Sequence, residues 1–356
     1  MPPPVEQRVL VIRRRYLGDV VLLGSVLRNL RLHWPQAHLA ALVEEAYAGV
    51  LDMNPDVNTA TILPRRARDW PRFLRQLRQA RFTHVFDFDN NERTACLARF
   101  SGAPFRATVW HEGPQPRFGR FYTHRIHDPP DRHERRHITE YFLSLLAAAD
   151  VPVVTRDVRL TPRETDVSFA RNLLVRHFGA APEGGTRLLL IHPGSRSAFR
   201  IWPPDRFARI CDLAGTEPGV RVAVVGAPNE QALVAEIARL AKRPPAVIDS
   251  RLTVSQLAAL ASLADLVLCH DSGPMHVAAA VGTRVVALLG SQNPVVFAPP
   301  GQGHIQLQPP LPCTTCVAPG QCVPGDSYRN YCVRNLTVEQ VFAAIRTQLA
   351  GPASAS

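Results

Sequence analysis

Lysine is almost absent from this chain of 356 residues: Lys242 is the only one, and arginine supplies nearly all of the positive charge. The formal net charge is +11, and residues 1–160 hold 24 arginines against 17 acidic residues. A basic surface of this kind suits nucleic acid, anionic lipid or a phosphorylated substrate, and a merely solvated face stays open as well. Because no nucleic-acid-binding motif accompanies the charge, we expect no nucleic-acid partner.

Long apolar runs are also missing. No segment approaches the roughly 18 uninterrupted apolar residues of a membrane span, and the start of the chain lacks the basic end and the apolar stretch of a signal peptide. We therefore expect a cytoplasmic protein. No G-x-G-x-x-G follows a predicted strand and no G-x-x-x-x-G-K occurs, which argues against a dinucleotide oxidoreductase and a P-loop enzyme.

The seven cysteines are unevenly placed. Three stand singly in apolar surroundings and are interpreted as small core residues: Cys96, Cys211 and Cys269. The other four crowd into one segment: Cys313, Cys316, Cys322 and Cys332. Their spacing is metal-like but matches no standard zinc ribbon, so a structural metal and a thiol or disulfide staple for a long loop both stay open.

Residues 133–137 spell H-E-x-x-H, the pattern of a helix that holds zinc through two histidines. Pro129 and Pro130 stand only a few residues upstream, so they set a helix start close to His133. From His137 onward, apolar residues recur at helical spacing. We interpret the segment as the charged first turn of an amphipathic helix, with a zinc peptidase as the alternative.

Short strands alternate with amphipathic helices in two series along the chain. The first series opens with a strand at Val9–Ile12 and a helix running through Leu32, and the second opens near residue 187. Such alternation predicts parallel sheets covered by helices on both faces. We therefore predict an α/β protein with two Rossmann-like, doubly wound domains facing a central cleft: residues 1–165, a linker region at 166–186, and residues 187–356.

The loop after the first strand contains Gly18 and Asp19. Gly18 lets the backbone turn tightly, and Asp19 stands at or just before a helix N-terminus. Its carboxylate is either a helix cap or a general base, because the loops after the strands of a parallel sheet are where ligands bind.

A loop of the second series suits a phosphate ester. Ser195 and Arg196 follow a Pro-Gly turn, and Arg200 comes before the next helix. A hydroxyl and guanidinium groups in one loop can donate hydrogen bonds to an anion and neutralise its charge.

A second loop of that series leads from Asp271 through Ser272 and Gly273 into a helix. The first turn of such a helix presents free N–H groups, which make an anion site that needs no metal. His276 lies one turn into the helix, and we expect it to contact the ligand.

Asp87-Phe88-Asp89 spells D-x-D, a pair of carboxylates that can hold a metal ion against a diphosphate. The motif ends a strand of the first domain, far in sequence from the two phosphate-binding loops, and successive strand residues point to opposite faces. We therefore interpret it as a strand end, with Arg93 nearby.

Four segments in register resemble glycosyltransferase family 9, the bacterial heptosyltransferases of lipopolysaccharide core assembly. They are VLVIRRRYLGDVVLLGSVLRNLR, RHITEYFLSLLAAADVPV, IHPGSRSAFRIWPPDRFARI and HDSGPMHVAAAVGTRVVALLGSQNP, and the resemblance covers nearly the whole chain. It implies a GT-B fold, an ADP-heptose or related nucleotide-sugar donor in the C-terminal half, and an acceptor in the N-terminal half. Under this resemblance the H-E-x-x-H segment belongs to the helix that closes the first domain.

The resemblance also implies roles for single residues. Asp19 is the catalytic base, and Glu230 and Leu252 fall where the family holds ribose and adenine. Many members have lysine where Arg200 stands, so this chain departs from the family there. The remaining donor contacts implied are Ser195, Arg200, Asp271, Ser272, Gly273 and His276.

The reaction that we expect is inverting transfer without metal or cofactor. Asp19 takes a proton from an acceptor hydroxyl, and Arg200 with the helix at Gly273 stabilises the leaving diphosphate. The implied acceptor is an acidic, lipid-linked saccharide, and we expect Arg93 to contact it. We also expect peripheral contact with the inner face of the cytoplasmic membrane. The alternatives are a nucleotide-sugar epimerase of the same build and a noncatalytic nucleotide-sugar-binding protein.

Overall fold

The computed structural model describes residues 6–111, 118–179, 185–196, 200–248, 251–290, 292–310 and 331–351. The chain divides into two compact units at Arg159 and Leu160. Each unit contains one six-stranded parallel sheet within the described residues. The prediction of two doubly wound α/β domains is confirmed.

The first unit alternates strands and helices as the sequence predicts. Its strands are β1 (Arg8–Ile12), β2 (His38–Val43), β3 (Thr59–Ile62), β4 (His84–Asp87), β5 (Phe105–Trp110) and β6 (His124–His127). Its described α-helices are α1 (Leu17–Leu22), α2 (Gly24–His33), α3 (Ala48–Asp52), α4 (Trp70–Gln79), α5 (Glu92–Ser101), α6 (Pro130–His133) and α7 (Ile138–Ser144).

The second unit repeats this plan. Its strands are β7 (Arg187–His192), β8 (Val220–Val225), β9 (Ala246–Ile248), β10 (Leu266–His270), β11 (Arg284–Leu288) and β12 (Ile305–Leu307). Its described α-helices are α8 (Glu164–Phe178), α9 (Pro204–Ala214), α10 (Gln231–Leu240), α11 (Val254–Ser262), α12 (Gly273–Ala280), α13 (Tyr331–Arg334) and α14 (Val338–Ala350).

Both sheets have the same strand order. The first runs β3-β2-β1-β4-β5-β6, and the second, in the opposite direction of reading, β9-β8-β7-β10-β11-β12. In each sheet the order reverses between the first and fourth strands, β1 with β4 and β7 with β10, which pair in parallel register. Ligands of open parallel sheets bind beyond the strand ends at this switch point, so the loops after these four strands are the candidate ligand-binding loops.

Alternating side chains fill the two faces of the second sheet. Leu189 and Ile191 of β7 pack on one face with Trp202 and Phe207, whereas Leu188 and Leu190 pack on the other with α8, α11 and α12. Both faces are apolar because both are covered, as expected for a parallel sheet. The strand ends are thereby fixed, and the loops that follow them start from rigid positions.

Several local features differ from the sequence-based predictions. Cys96, interpreted as a small core residue, is exposed, whereas Cys211 and Cys269 are buried as predicted. The helix predicted to run from the first loop through Leu32 is divided, since α1 ends at Leu22 and α2 begins at Gly24. The strands β5, β6 and β12 were not predicted. In the region interpreted as a linker, α8 packs its buried residues Ala170, Leu173 and Leu174 into the core of the second unit.

The H-E-x-x-H segment does not lie on one helix. α6 ends at His133, whereas His137 is the N-cap of α7, where its Nδ1 accepts a hydrogen bond from the backbone N–H of Thr139 at 3.3 Å. The helix therefore begins after the motif, not within it, and the prediction that the motif forms a first helical turn is wrong. Among the described residues, no helix combines the length and apolar character needed to cross a bilayer.

Candidate active site

The loop after β1 places Asp19 in the first turn of α1, three residues after the N-cap Tyr16. Asp19 Oδ2 accepts a hydrogen bond from the Tyr16 backbone N–H at 3.3 Å. A stronger contact comes from Arg13, whose Nη2 donates to the same oxygen at 2.6 Å. Both side chains stay partly accessible, at 19% for Arg13 and 21% for Asp19. Gly18 precedes Asp19 in α1 and is half-buried.

Arg13 is the main residue of this loop that the sequence analysis missed. Its Nη1 donates to the carbonyl of Phe88 at 2.8 Å and reaches Asp89 Oδ1 at 3.4 Å. Burial alone would lower the pKa of the Arg13 guanidinium, but the charges of Asp19 and Asp89 raise it above its ordinary value. A signal was present in the sequence, because Arg13 follows β1 directly.

The D-x-D motif after β4 is engaged in a hydrogen-bond network. Asp87 is fully buried and accepts from Tyr122 Oη at 2.7 Å and from the backbone N–H of Asp89 at 2.9 Å. Burial raises the pKa of the Asp87 carboxyl to about 6. Asp89 Oδ2 accepts from Arg14 Nε at 2.7 Å. Within the described residues, the two carboxylates thus stabilise the turn at the end of β4.

Arg93 lies on the exposed surface near the start of α5, with its guanidinium 6.0 Å from the centroid of the Trp70 ring. A stacked, exposed guanidinium can meet an acidic group. Its contact with an acceptor stays a prediction.

The loop after β7 brings Gly194 against Glu230. A Cβ atom on Gly194 would lie 1.9 Å from Glu230 Cδ, so only glycine fits beneath this carboxylate. Glu230 Oε2 accepts from the Ala227 backbone N–H at 2.8 Å and lies 3.7 Å from His192 Nε2. Glu230 was predicted as a ribose contact, but its close approach to Gly194 leaves no local signal in the sequence. This contact ties the loops after β7 and β8 together.

The rest of the β7 loop is more exposed. Ser195 is half-buried and Arg196 is exposed, so both side chains can be reached from solvent. Leu252 is half-buried and packs against the core of the second unit just before the N-cap of α11. The assignment of these three residues to ligand contacts stays a prediction.

Arg200 and Asp271 meet although 71 residues separate them. Arg200 Nη1 donates to Asp271 Oδ2 at 3.3 Å and to the Asp271 carbonyl at 3.4 Å. Asp271 directly follows β10 and is buried, whereas the Arg200 side chain is 27% exposed. The structure therefore brings together two residues that the sequence placed in separate phosphate-binding loops.

The N-terminus of α12 lies directly after Asp271. Ser272 is the N-cap, and its hydroxyl donates to the His270 carbonyl at 3.3 Å instead of capping the helix. The first-turn N–H groups of a helix beginning at Gly273 carry partial positive charge. His276 is buried in that first turn, with 4% of its surface exposed, and its contact with a ligand stays a prediction.

Hydrogen bonds of His270 and Trp202 fix the segment that follows Arg200. The Trp202 backbone N–H donates to His270 Nε2 at 3.1 Å, and Trp202 Nε1 donates to the Leu336 carbonyl at 3.0 Å. Burial lowers the pKa of His270 to about 3. A neutral ring is therefore fixed between β10 and the segment that begins at Arg200.

The two metal hypotheses have different outcomes. The described residues contain no group of three or more histidine, cysteine or acidic side chains arranged to hold a metal ion. α6 ends at His133 and His137 is the N-cap of α7, so the two residues do not belong to one helix, as the zinc peptidase hypothesis requires. Cys313, Cys316 and Cys322 lie outside the described residues, as does the side chain of Cys332, and their hypothesis stays open.

Comparisons with known proteins agree with this architecture. Residues 70–323 match the model of glycosyltransferase family 9 (heptosyltransferase). The lipopolysaccharide core heptosyltransferase OpsX of Haemophilus influenzae is 25% identical over 295 residues, which cover 81% of this chain and 80% of that protein.

Two solved structures have the same fold. A family 9 glycosyltransferase from Veillonella parvula superimposes with a TM-score of 0.84 at 23% identity, covering 98% of each chain. The ADP-heptose lipopolysaccharide heptosyltransferase II of E. coli gives a TM-score of 0.77 at 20% identity, covering 96% of this chain and 98% of that one. With the family model matching most of its length and the fold shared, this chain belongs to glycosyltransferase family 9 and is a glycosyltransferase.

Proposed function

We propose that this protein transfers a heptose from ADP-heptose to a hydroxyl of a lipopolysaccharide core saccharide, with inversion and without a metal ion. Its relatives support the donor and acceptor, since one is named a lipopolysaccharide core heptosyltransferase and a protein of the same fold is named for ADP-heptose. The residues of the two switch points support the chemistry.

In this proposal the second unit binds the donor. Glu230 accepts hydrogen bonds from the ribose hydroxyls, because its carboxylate lies over Gly194 at the ends of β7 and β8. Leu252 provides apolar contact for the adenine, while Ser195 and Arg196 contribute polar contacts from the β7 loop. Nucleotide sites commonly combine an apolar wall with a few placed polar groups.

The diphosphate lies between Arg200 and the start of α12. Arg200 uses Nη1 to bind Asp271, so Nη2 and Nε are the donors that we assign to the diphosphate. Partial positive charge at Gly273 adds a second contact, and His276 a third. Negative charge that develops on departing ADP is then stabilised by groups already in place.

The first unit supplies the base. Asp19 Oδ1 takes the proton from the acceptor hydroxyl, whose oxygen attacks the anomeric carbon as the bond from that carbon to the ADP oxygen breaks. Attack from the face opposite ADP inverts the configuration. Proton removal by a positioned carboxylate contributes about 10²- to 10⁴-fold to rates.

In this proposal Arg200 and the N-terminus of α12 neutralise the diphosphate charge, which a metal ion neutralises in other transferases. The D-x-D carboxylates are engaged with Tyr122 and with Arg13 and Arg14, so they are not the groups that we assign to the donor. For the acceptor, the excess of arginine over acidic residues in the first 160 residues suits an acidic, lipid-linked saccharide at the inner face of the membrane.

The observation that carries this proposal is a partly accessible carboxylate, Asp19, held at the switch point of a family 9 fold. The experiment compares Asp19→Asn with Asp52→Asn, a control at an exposed aspartate that ends α3. With ADP-heptose and a core acceptor, Asp19→Asn should lower kcat by about 10²- to 10⁴-fold, while ADP binds as to the wild type. The control should keep its activity.

The same assay tests the finer statements. The anomeric configuration of the product, read by NMR, should be opposite to that of the donor, and exhaustive dialysis against a chelator should leave kcat unchanged. Full activity of Asp19→Asn, retained configuration, or activity restored only by an added divalent ion would each contradict the corresponding part of the proposal.

A further inference from the structure

Arg13 lies between two carboxylates of the first switch point. One guanidinium nitrogen, Nη2, donates to Asp19 Oδ2 at 2.6 Å, and the other, Nη1, reaches Asp89 Oδ1 at 3.4 Å. The guanidinium also lies 5.5 Å from the centroid of the Phe142 ring. A planar guanidinium with contacts at both ends and on one face has little freedom to rotate.

The far end of this arrangement is fixed by the fold. Nη1 of Arg13 also donates to the Phe88 carbonyl at 2.8 Å, directly beyond β4. The turn that follows is held by Asp87, which accepts the N–H groups of Asp89 at 2.9 Å and Asn90 at 3.3 Å. Tyr122 in turn donates to Asp87 at 2.7 Å. The D-x-D motif thus forms a rigid support for one end of Arg13.

We propose that Arg13 is a positioning residue for the base Asp19, and that the D-x-D segment acts in the reaction by holding Arg13. The inference rests on the proposed function, because it gives Asp19 the role of base. Arg13 orients the carboxylate so that Oδ1 faces the acceptor hydroxyl, since its own bond and that of the Tyr16 N–H both go to Oδ2.

Arg13 and Arg14 carry the same charge but differ in the carboxylates that they bind, so comparing them distinguishes positioning of Asp19 from neutralisation of nearby charge. Arg14 Nε donates to Asp89 Oδ2 at 2.7 Å, a shorter contact than the one from Arg13. Arg14 is therefore the main positive charge that neutralises Asp89. The ion pair with Asp19 is formed by Arg13. Loss of Arg13 should accordingly affect the base, whereas loss of Arg14 leaves in place the bonds from Arg13 to Asp19 Oδ2 and to the Phe88 carbonyl.

The test compares Arg13→Gln with Arg14→Gln, a matched control that removes the same charge from the adjacent residue. A displaced catalytic group commonly costs on the order of 100-fold in rate, so Arg13→Gln should lower kcat by about 10- to 100-fold. The KM for ADP-heptose should change less than about twofold, because the proposed donor contacts belong to the second unit. Arg14→Gln should keep kcat within about threefold of the wild type.

Two further measurements exclude a general loss of structure. Arg13→Lys, which keeps a charge near Asp19 but loses the fork, should recover part of the lost kcat. Millimolar guanidinium should raise kcat of Arg13→Gly severalfold and leave the wild type unchanged, because the small cation can occupy the vacated place. A misfolded variant would respond to neither, and melting temperatures of all variants are measured beside the rates.

The outcomes distinguish this inference from the proposed function. If Asp19→Asn is inactive while Arg13→Gln keeps wild-type kcat, Arg13 has no positioning role and the function stands. Equal losses for Arg13→Gln and Arg14→Gln, with no guanidinium rescue, would also overturn the inference, because the effect would then come through Asp89 alone. If Asp19→Asn is fully active, the proposed function itself fails.

Discussion

Replacing Gly194 with alanine should displace the Glu230 carboxylate while leaving the second unit folded. The new Cβ would lie 1.9 Å from Glu230 Cδ and 2.1 Å from each carboxylate oxygen, well inside van der Waals contact. The φ angle of Gly194 is outside the left-handed region, so alanine can adopt the backbone conformation. The strain is relieved by rotation of the Glu230 side chain, because the atoms that collide are its flexible end.

The magnitude follows from the contacts that Glu230 loses. Its hydrogen bond with the Ala227 N–H breaks, and so do the bonds that we assign to the ribose hydroxyls. Hydrogen bonds to a charged group contribute about 1.5–3 kcal/mol, which corresponds to a rise in the Kd for ADP of about 10- to 150-fold. The melting temperature should fall by only a few degrees, since the clash needs no movement of the backbone.

Calorimetric titration of ADP into four proteins tests this reasoning: the wild type, Gly194→Ala, Glu230→Ala and the double variant. Once Glu230 is truncated, the added Cβ meets no carboxylate, so the double variant should bind ADP as Glu230→Ala does. Wild-type affinity in Gly194→Ala would refute the ribose assignment. A double variant much weaker than Glu230→Ala would show that Gly194 acts through some other group.

Two further predictions concern stability. Burial raises the pKa of Asp87 from 3.8 to about 6, so protonated Asp87 stabilises the folded state, and this stabilisation is lost as the pH rises from 3.8 to about 6. In urea titrations over that range, the free energy of unfolding of the wild type should fall by about 3 kcal/mol more than that of Asp87→Asn. The same pH dependence for both proteins would contradict this. Trp202 is fully buried, so Trp202→Ala should lower the free energy of unfolding by about 3–5 kcal/mol, measured by calorimetry on the unfolding transition that added ADP moves to higher temperature. Trp202→Phe should lower it clearly less, because Arg206 also donates to the Leu336 carbonyl at 2.7 Å. Equal losses for the two variants would refute that account.

The alternation of strands and helices could be predicted because each element has a local signature. The strand predicted at Val9–Ile12 is β1 with one residue added, and Asp271-Ser272-Gly273 lies at the junction of β10 and α12. Apolar runs mark buried strands, and a Gly-Pro pair after a strand marks a helix start. Such signals depend on a few neighbouring residues, so they can be read without coordinates.

Contacts between distant parts of the chain left no such signal. Arg13 meets Asp89 across 76 residues, and Tyr122 meets Asp87 across 35. The approach of Gly194 to Glu230 depends on how two loops lie over the ends of adjacent strands. These pairings follow from strand order, which the alternation of elements does not determine. The local reading also failed where helices restart, at Gly24 and at Ile138.

Each sheet reaches the same strand order and packs its own apolar interior. Side chains around Asp19 can consequently vary without disturbing the packing that supports Arg200 and Asp271. If the first unit binds the acceptor and the second the donor, as proposed, substitutions in residues 1–159 can change the acceptor while residues 160–356 keep the same donor. Exchanging the first unit between two members of the family should then transfer acceptor preference from one to the other.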